Sequence, residues 1–420
     1  MSAKRLQNFA VAYIAIWTIS PPLFVSGSAR LLVVMATVIW MVLEILRHDG
    51  LARRITLPVL MTLLFIGYTG LNELMLSGVE GVVRNTQIWI MLFFLVVWQS
   101  RQNDLKSLVS IFWLVLAVYP VWLFITIQTI VTVNDHAARI IVRSSPEALE
   151  LSLQGVGGYT LVYGTLLLIP ALIGMVNNPR TLRGDALPQP LHVLPRISLA
   201  LVVLNLAMGV ALVLTAGFSL AVIALAGILL SVTFLKSFTA TRLLITVFAT
   251  LFFSILARPI LDVTLSALLP LAEGTNFVNK IRDVLASFQQ GDAVGTAADR
   301  IQRYMRSLRL FVENPLIGVL SFDNTGKHSA ILDNFARWGV FFGSVFVYLV
   351  TFPAVRVMCS NKRYFGVGLS MLAAVAVIFG MNNGFAAAGL MLYIMFPVSL
   401  HILSANRAQQ SPRDEVVAHA

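Results

Sequence analysis

Twelve apolar runs divide this chain, at 9–25, 31–46, 57–76, 84–98, 107–131, 157–176, 197–214, 218–235, 243–257, 330–352, 364–380 and 384–403. Runs of this kind belong in a solvent that offers the backbone no hydrogen bonds, where only helices or closed barrels satisfy their own N–H and C=O groups. About 20 apolar residues carry a helix across a bilayer. Several of the runs are shorter than that, so the runs set the span boundaries only to within a few residues. Charged residues make up 12% of the chain, about half the share found in a soluble domain. The expected fold is therefore all-α, a polytopic membrane bundle of about twelve transmembrane helices.

The loops orient the bundle. With the N-terminus inside, the inner connections carry Arg47, Arg53 and Arg54, then Arg101 and Lys106, then Arg180, Arg183 and Arg196. Lys236, Arg242, Arg356, Lys362 and Arg363 continue the series, and Arg407 and Arg413 close it in the tail. The short outer loops hold only Arg30 and Arg84. Basic residues collect on the cytoplasmic side during insertion, so both termini are expected to be cytoplasmic. The same rule accounts for the net charge of +11 without nucleic acid as a partner. Lys4 and Arg5 precede the first run. Ser26-Gly27-Ser28-Ala29 only faintly resembles a signal-peptidase site, and Pro21-Pro22 favours a retained first helix.

Two outer segments break the pattern. Residues 132–156 hold Asp135, His136, Arg139, Arg143, Glu147 and Glu150, and residues 258–329 form a segment of about seventy residues before the tenth span. The chain thus reads as spans one to nine over 1–257 with an external loop at 132–156, and a large external helical loop over 258–329. Spans ten to twelve follow over 330–405, with a cytoplasmic tail at 406–420. Long external segments cross the membrane regardless of their charge, so their arginines do not set topology.

The large loop is the most informative stretch. Arg300, Arg303, Arg306 and Arg309 recur every three residues, and the chain then breaks at Asn314-Pro315 and turns through Gly318 and Gly326. A lone His328 follows, just ahead of an apolar run. At about 100° per residue, Ile301, Met305, Leu308 and Val312 fall on one stripe. Arg300, Arg303 and Arg306 spread over the opposite face, with Arg309 at the boundary. Such an amphipathic helix lies along a membrane surface. Its arginines either snorkel to lipid phosphates or line a pocket for a phosphorylated substrate, since guanidinium forks grip phosphate bidentately and stay charged. Arg139 and Arg143 in the other loop add to the basic external surface. A neutral imidazole at His328 is suited to accept a proton, although a lone histidine at a helix start also serves as a cap.

Metal chemistry finds little support. Cys359 is the only cysteine, and no His-x-x-x-His pair or Asp-x-Asp occurs in an external loop. Glu147 and Glu150, one turn apart, read as a solvated face, so neither a metal nor any other cofactor is expected. A transporter would show ionisable residues in mid-span. The spans offer little beyond Glu44, Glu73, Gln128 and Asn205, mostly near their ends. Asn382-Asn383-Gly384 reads as a tight outer turn. The chemistry sits outside the bilayer core, which favours an enzyme working on something delivered by lipid.

The residues from Arg300 onward resemble the shared region of the bacterial O-antigen ligase and O-antigen polymerase superfamily. The resemblance rests on Arg300-x-x-x-Tyr304, Asn314-Pro315-Leu316-Ile317-Gly318, His328-Ser329 and Gly339, and covers about 45 residues. Two departures accompany it. Gly339-Val-Phe-Phe-Gly343 is one residue longer than the family's spacing, and Thr215-Ala216-Gly217-Phe218-Ser219 lacks the arginine that members often carry there. The resemblance implies a metal-independent glycosyltransferase in the bacterial inner membrane with a periplasmic active site. The donor would be a glycan on undecaprenyl diphosphate, with Arg300, Arg303, Arg306, Arg139 and Arg143 holding the diphosphate and His328 orienting or deprotonating the acceptor hydroxyl. A polymerase would take a second lipid-linked repeat unit as acceptor, alongside a possible chain-length regulator. A ligase would take lipid A–core. Arg139 and Gly155, separated by fifteen residues, match a polymerase pattern, while the His328-Ser329 to Gly339 spacing is more typical of ligases. The expectation is polymerase first, ligase second, and a lipid-linked glycan transporter third.

Overall fold

The computed structural model describes residues 3–47, 50–51, 55–102, 104–141, 145–182, 195–234, 296–321, 324–360 and 364–405, with isolated positions between 266 and 282. The run at 243–257, most of 258–295, Arg143 and the tail at 406–420 lie outside the described residues. Among the described residues the regular structure is all helical, and seven helices are long and apolar enough to cross a membrane. Two more, Leu220–Val232 and Phe365–Met381, are apolar but shorter. The helices fall into two compact units, one of residues 1–216 and 384–420, the other of residues 217–383.

The first unit contains α1 (Ala3–Ile19), α2 (Pro21–Val25), α3 (Gly27–Leu46), α4 (Leu57–Ser100) and α5 (Lys106–Thr132). Short α6 (Ala137–Ile140) and α7 (Pro146–Leu153) follow, then α8 (Tyr159–Val176) and α9 (Pro195–Thr215). The apolar runs at 57–76 and 84–98 are the two arms of α4, which turns at Gly78 with φ 60° and ψ −152°. The arms run antiparallel: Trp89 Nε1 donates to Thr69 Oγ1 at 3.4 Å, and Thr56 Oγ1 to Gln99 Oε1 at 3.0 Å. At one end of the unit, Glu44 accepts from Gln7 Nε2 at 3.0 Å and Ser100 Oγ at 2.7 Å, and Arg101 donates to Gln7 Oε1 at 2.8 Å. Buried polar groups persist in a core only when partnered, and here they tie α1, α3 and α4 together. The unit's core is the segment Ala386–Ser404, nearly all of whose residues are buried. Its small residues Ala386–Gly389 let the backbone reach α4, and a Cβ on Gly389 would meet the Met91 backbone. Close crossings of this kind are how helices associate where no hydrophobic drive separates lipid from protein.

The second unit is built from α10 (Ser219–Phe234), α11 (Thr296–Glu313), α12 (Ala330–Ser360) and α13 (Phe365–Met381). The α13 helix packs on both α10 and α12, and α11 lies on α12. One sequence expectation changes here. The run at 330–352 reads as one span, yet α12 turns sharply at Gly339, with φ 70° and ψ −172°. Phe335 consequently packs on Gly343. A short helix over 330–338 therefore precedes the longer apolar arm over 340–360. Hydropathy is blind to this turn because both arms are apolar.

Candidate functional site

Asp299 sits in the first turn of α11, where a carboxylate complements the helix dipole. The helix stops at Glu313 because the residue before Pro315 is driven out of the α region. The sequence separates two faces on this helix, and the structure separates three. Tyr304, Ser307 and Phe311 form the docking face: Ser307 is buried, and the Phe311 ring meets Phe335 of α12 at 5.2 Å. Arg300 continues that line at helical spacing, so it flanks the docking face rather than opposing the apolar stripe. Ile301, Met305 and Val312 are 49%, 56% and 67% exposed. The apolar stripe thus faces outward, as a helix lying at a lipid surface requires. Arg303, Arg306 and Arg309 occupy the remaining, exposed side.

The segment after α11 is wound around the Gly339 turn. Breaking a helix orphans its carbonyl and amide groups, and here Asn314-Pro315-Leu316-Ile317-Gly318 and its neighbours take them up. Val319 N donates to Ala336 O at 2.9 Å, Leu320 N to Arg337 O at 3.0 Å, and Val340 N to Pro315 O at 2.7 Å. A side chain at Gly339 would collide with the Leu316 carbonyl.

His328 sits on the loop held between α11 and α12. The Ser307 hydroxyl donates to Asp333 Oδ1 at 2.5 Å and accepts from Gly326 N at 2.8 Å. Ser329 N donates to Asp333 Oδ2 at 3.1 Å, and the N–H groups of Lys327 and His328 serve the same carboxylate. Three consecutive amides converging on an anion form a nest, which requires a left-handed residue. That residue is Lys327, with φ 60°. For a side chain other than glycine or asparagine this conformation costs about 1–2 kcal/mol. The Ser329 hydroxyl accepts from Leu332 N at 3.1 Å and caps α12. From the other side, Asn383 Nδ2 donates to Lys327 O at 2.9 Å, Ala330 N to Asn382 O at 2.8 Å, and Tyr304 Oη to Met381 O at 3.2 Å.

The imidazole of His328 is half-buried, and its pKa lies below the ordinary value chiefly because burial disfavours the cation. Arg303 and then Arg300 push it the same way, while Asp299 and Asp333 push back. Burial also raises the Tyr304 phenol, with Arg300 opposing. The imidazole is thereby held in its proton-accepting form at neutral pH. On the same loop, Lys327 lines a cleft of about 420 Å³ whose walls also include Arg303, Arg306 and Asp299, with His328 and Arg300 outside its lining. Arg303 Nε meets Asp299 Oδ2 at 3.0 Å, an exposed pair.

Of the residues singled out by sequence, His328, Arg300 and Arg303 come within electrostatic reach of one another, and Arg303 and Arg306 line the cleft. Arg139 belongs to the other unit, on α6, and Arg143 lies outside the described residues. Sequence reasoning missed Ser307, Asp333, Lys327 and the Asn382-Asn383 turn as supports of the site. It also missed Arg337, buried with its guanidinium 4.3 Å over the Trp338 ring. Among the described residues no group of three or more His, Cys, Asp or Glu side chains could hold a metal ion. No family model, curated protein or solved structure matches the chain.

Proposed function

We propose that this membrane protein is a metal-independent glycosyltransferase acting on lipid-linked glycans, with an O-antigen polymerase as its first reading. The observation that carries it is the His328 loop: an imidazole kept neutral by burial and by Arg303 and Arg300, on the loop whose Lys327 lines a basic cleft shared with Arg303. In the reaction, an acceptor hydroxyl attacks the anomeric carbon of the donor sugar. The C–O bond to the diphosphate breaks, His328 takes the hydroxyl proton, and the arginines offset charge gathering on undecaprenyl diphosphate. Donor and acceptor are both lipid-linked repeat units, and the outward apolar stripe of α11 suits delivery from a membrane surface. The topology in this reading is twelve spans in the bacterial inner membrane, both termini cytoplasmic and the site periplasmic. The His328-Ser329 to Gly339 spacing favours a ligase as the second reading, with lipid A–core as acceptor.

A deletion strain distinguishes the two. Lipid A–core carrying one repeat unit means polymerase, and bare core with polymerised lipid-linked glycan means ligase. Complementation with His328→Ala should lose about 10²-fold or more of transfer at matched membrane levels. Near-normal synthesis would reduce His328 to a cap. Arg300→Lys should be severely impaired, Arg303→Lys less so and Arg309→Lys close to normal, because an ammonium cannot reproduce the guanidinium fork. Equal, near-full activity in all three would leave only headgroup anchoring. The acid limb of kcat/KM should lie below the ordinary imidazole range, and Arg303→Gln should move it to higher pH, since removing a nearby cation favours protonation of His328.

A further inference from the structure

Lys327 stands in a backbone conformation that suits it poorly. The nest around Asp333 needs a left-handed residue between Gly326 and His328. Glycine or asparagine fills such a position without penalty. A lysine there is explained by what its ammonium does, since persistent backbone strain gathers where a side chain must be aimed. Lys327 is part of the cleft wall, together with Arg303 and Arg306. Those three cations face one carboxylate, Asp299, so the cleft carries two net positive charges. Thr325 and Gln302 also line it, neutral residues whose side chains can donate to phosphate oxygens.

We propose that Lys327 is a specificity-determining residue. With Arg303 and Arg306 it makes the cleft a subsite for two adjacent phosphates, and it selects a diphosphate over a monophosphate. Calling that diphosphate the donor's leaving group rests on the glycosyl-transfer reading, whereas the binding preference does not. A glycan joined to a polyprenyl diphosphate carries one negative charge on each phosphate, which the cleft's net charge matches. When the sugar leaves, the terminal phosphate gains a further charge. A point cation tolerates that change without demanding one fixed oxygen geometry, as the arginine forks do.

The experiment uses the full chain in nanodiscs of phosphatidylcholine, titrated with farnesyl diphosphate and with farnesyl monophosphate. The wild type should bind the diphosphate about 10-fold or more tightly than the monophosphate, the scale of one charge-assisted contact. Lys327→Asn puts a residue that accepts positive φ more readily than lysine at this position and should melt no lower than the wild type. It should lose that preference, while Lys327→Arg keeps most of it. Lys327→Gly serves as a second neutral variant that also preserves the nest. Full diphosphate preference in both neutral variants would overturn the proposal. So would equal wild-type affinity for the two ligands, or complete competition by phosphatidylglycerol nanodiscs, which marks a headgroup site. A preference that persists in a protein with no glycosyl transfer supports the subsite and sinks only the transferase reading.

Discussion

Two helices in this protein turn on a glycine with nearly the same backbone. Gly78 turns α4 at φ 60°, ψ −152°, and Gly339 turns α12 at φ 70°, ψ −172°. Both lie in a region that only glycine occupies readily. Their surroundings differ completely. Nothing comes within 4 Å of where a Cβ would sit on Gly78, whereas on Gly339 it would strike the Leu316 carbonyl. The first glycine is needed for its conformation alone. The second is needed for conformation and for a clamp, because the 315–320 segment supplies and receives the hydrogen bonds that the break in α12 leaves open. That clamp sets the end of the short helix whose start carries Ser329 and Asp333, and so fixes the loop bearing His328. Much of the motif that carries the resemblance is thus scaffold: Asn314-Pro315-Leu316-Ile317-Gly318 and Gly339 hold each other, which leaves His328 and the cations for the proposed chemistry.

The comparison predicts its own largest effect at Gly339. Gly339→Ala adds the strain of the turn, about 1–3 kcal/mol, to a backbone collision whose relief would break the hydrogen bonds at Val319, Leu320 and Val340. A total loss above about 4 kcal/mol is expected, in the range reserved for such disruptions, with transfer abolished. Thermal unfolding of the purified protein and glycan synthesis at matched membrane levels are the measurements. A stable, fully active Gly339→Ala protein would show that the clamp is incidental.

Asp333 offers a gentler break of the same assembly. Asp333→Asn preserves shape but replaces an anion, and turns one of its acceptors into a donor facing N–H groups or the Ser307 hydroxyl. Mismatched buried partners cost about 1–3 kcal/mol. The effect should be local: faster amide exchange at 327–329, reduced transfer, and the α4 hairpin unaffected. Ser307→Ala should produce the same pattern at smaller amplitude. Exchange that rises equally across both units would mean that Asp333 serves global stability and not the loop.

Much of this was legible in the chain. The C-terminal end of α11 follows from Asn314-Pro315, and the outward stripe of Ile301, Met305 and Val312 from helical periodicity. The docking face of Tyr304, Ser307 and Phe311 was not, because a serine between aromatics shows no pattern until its partner Asp333, 26 residues away, is known. The turn at Gly339 hides inside one apolar run for the same reason that the arms of α4 read as two: hydropathy records the solvent of a segment and not its dihedral angles. The left-handed Lys327 is set by a carboxylate six residues later, a pairing that residue type alone cannot announce. Charge and the Arg139–Gly155 spacing associate Arg139 with the α11 arginines in the sequence, and neither says which unit a loop joins, which in the structure is the first.

The smallest effect belongs to Gly78. An alanine there meets open space, so the only cost is that of holding a Cβ-bearing residue in a glycine region, about 1–3 kcal/mol. With nothing within 4 Å of the Cβ position on Gly78 itself, no collision adds to the strain, which places the cost toward the lower end. The contacts that align the two arms, Trp89 with Thr69 and Thr56 with Gln99, lie well away from the turn and should survive. Gly78→Ala should therefore insert normally, unfold at a modestly lower temperature and retain near-full transfer, whereas Gly339→Ala loses far more stability and all transfer. Asparagine is no better than alanine at Gly78, because its tolerance of positive φ is confined to ψ near +50° and the turn sits at −152°. Should Gly78→Ala prove as damaging as Gly339→Ala, the dihedral angles alone would govern both turns, and the 315–320 clamp would contribute nothing beyond them.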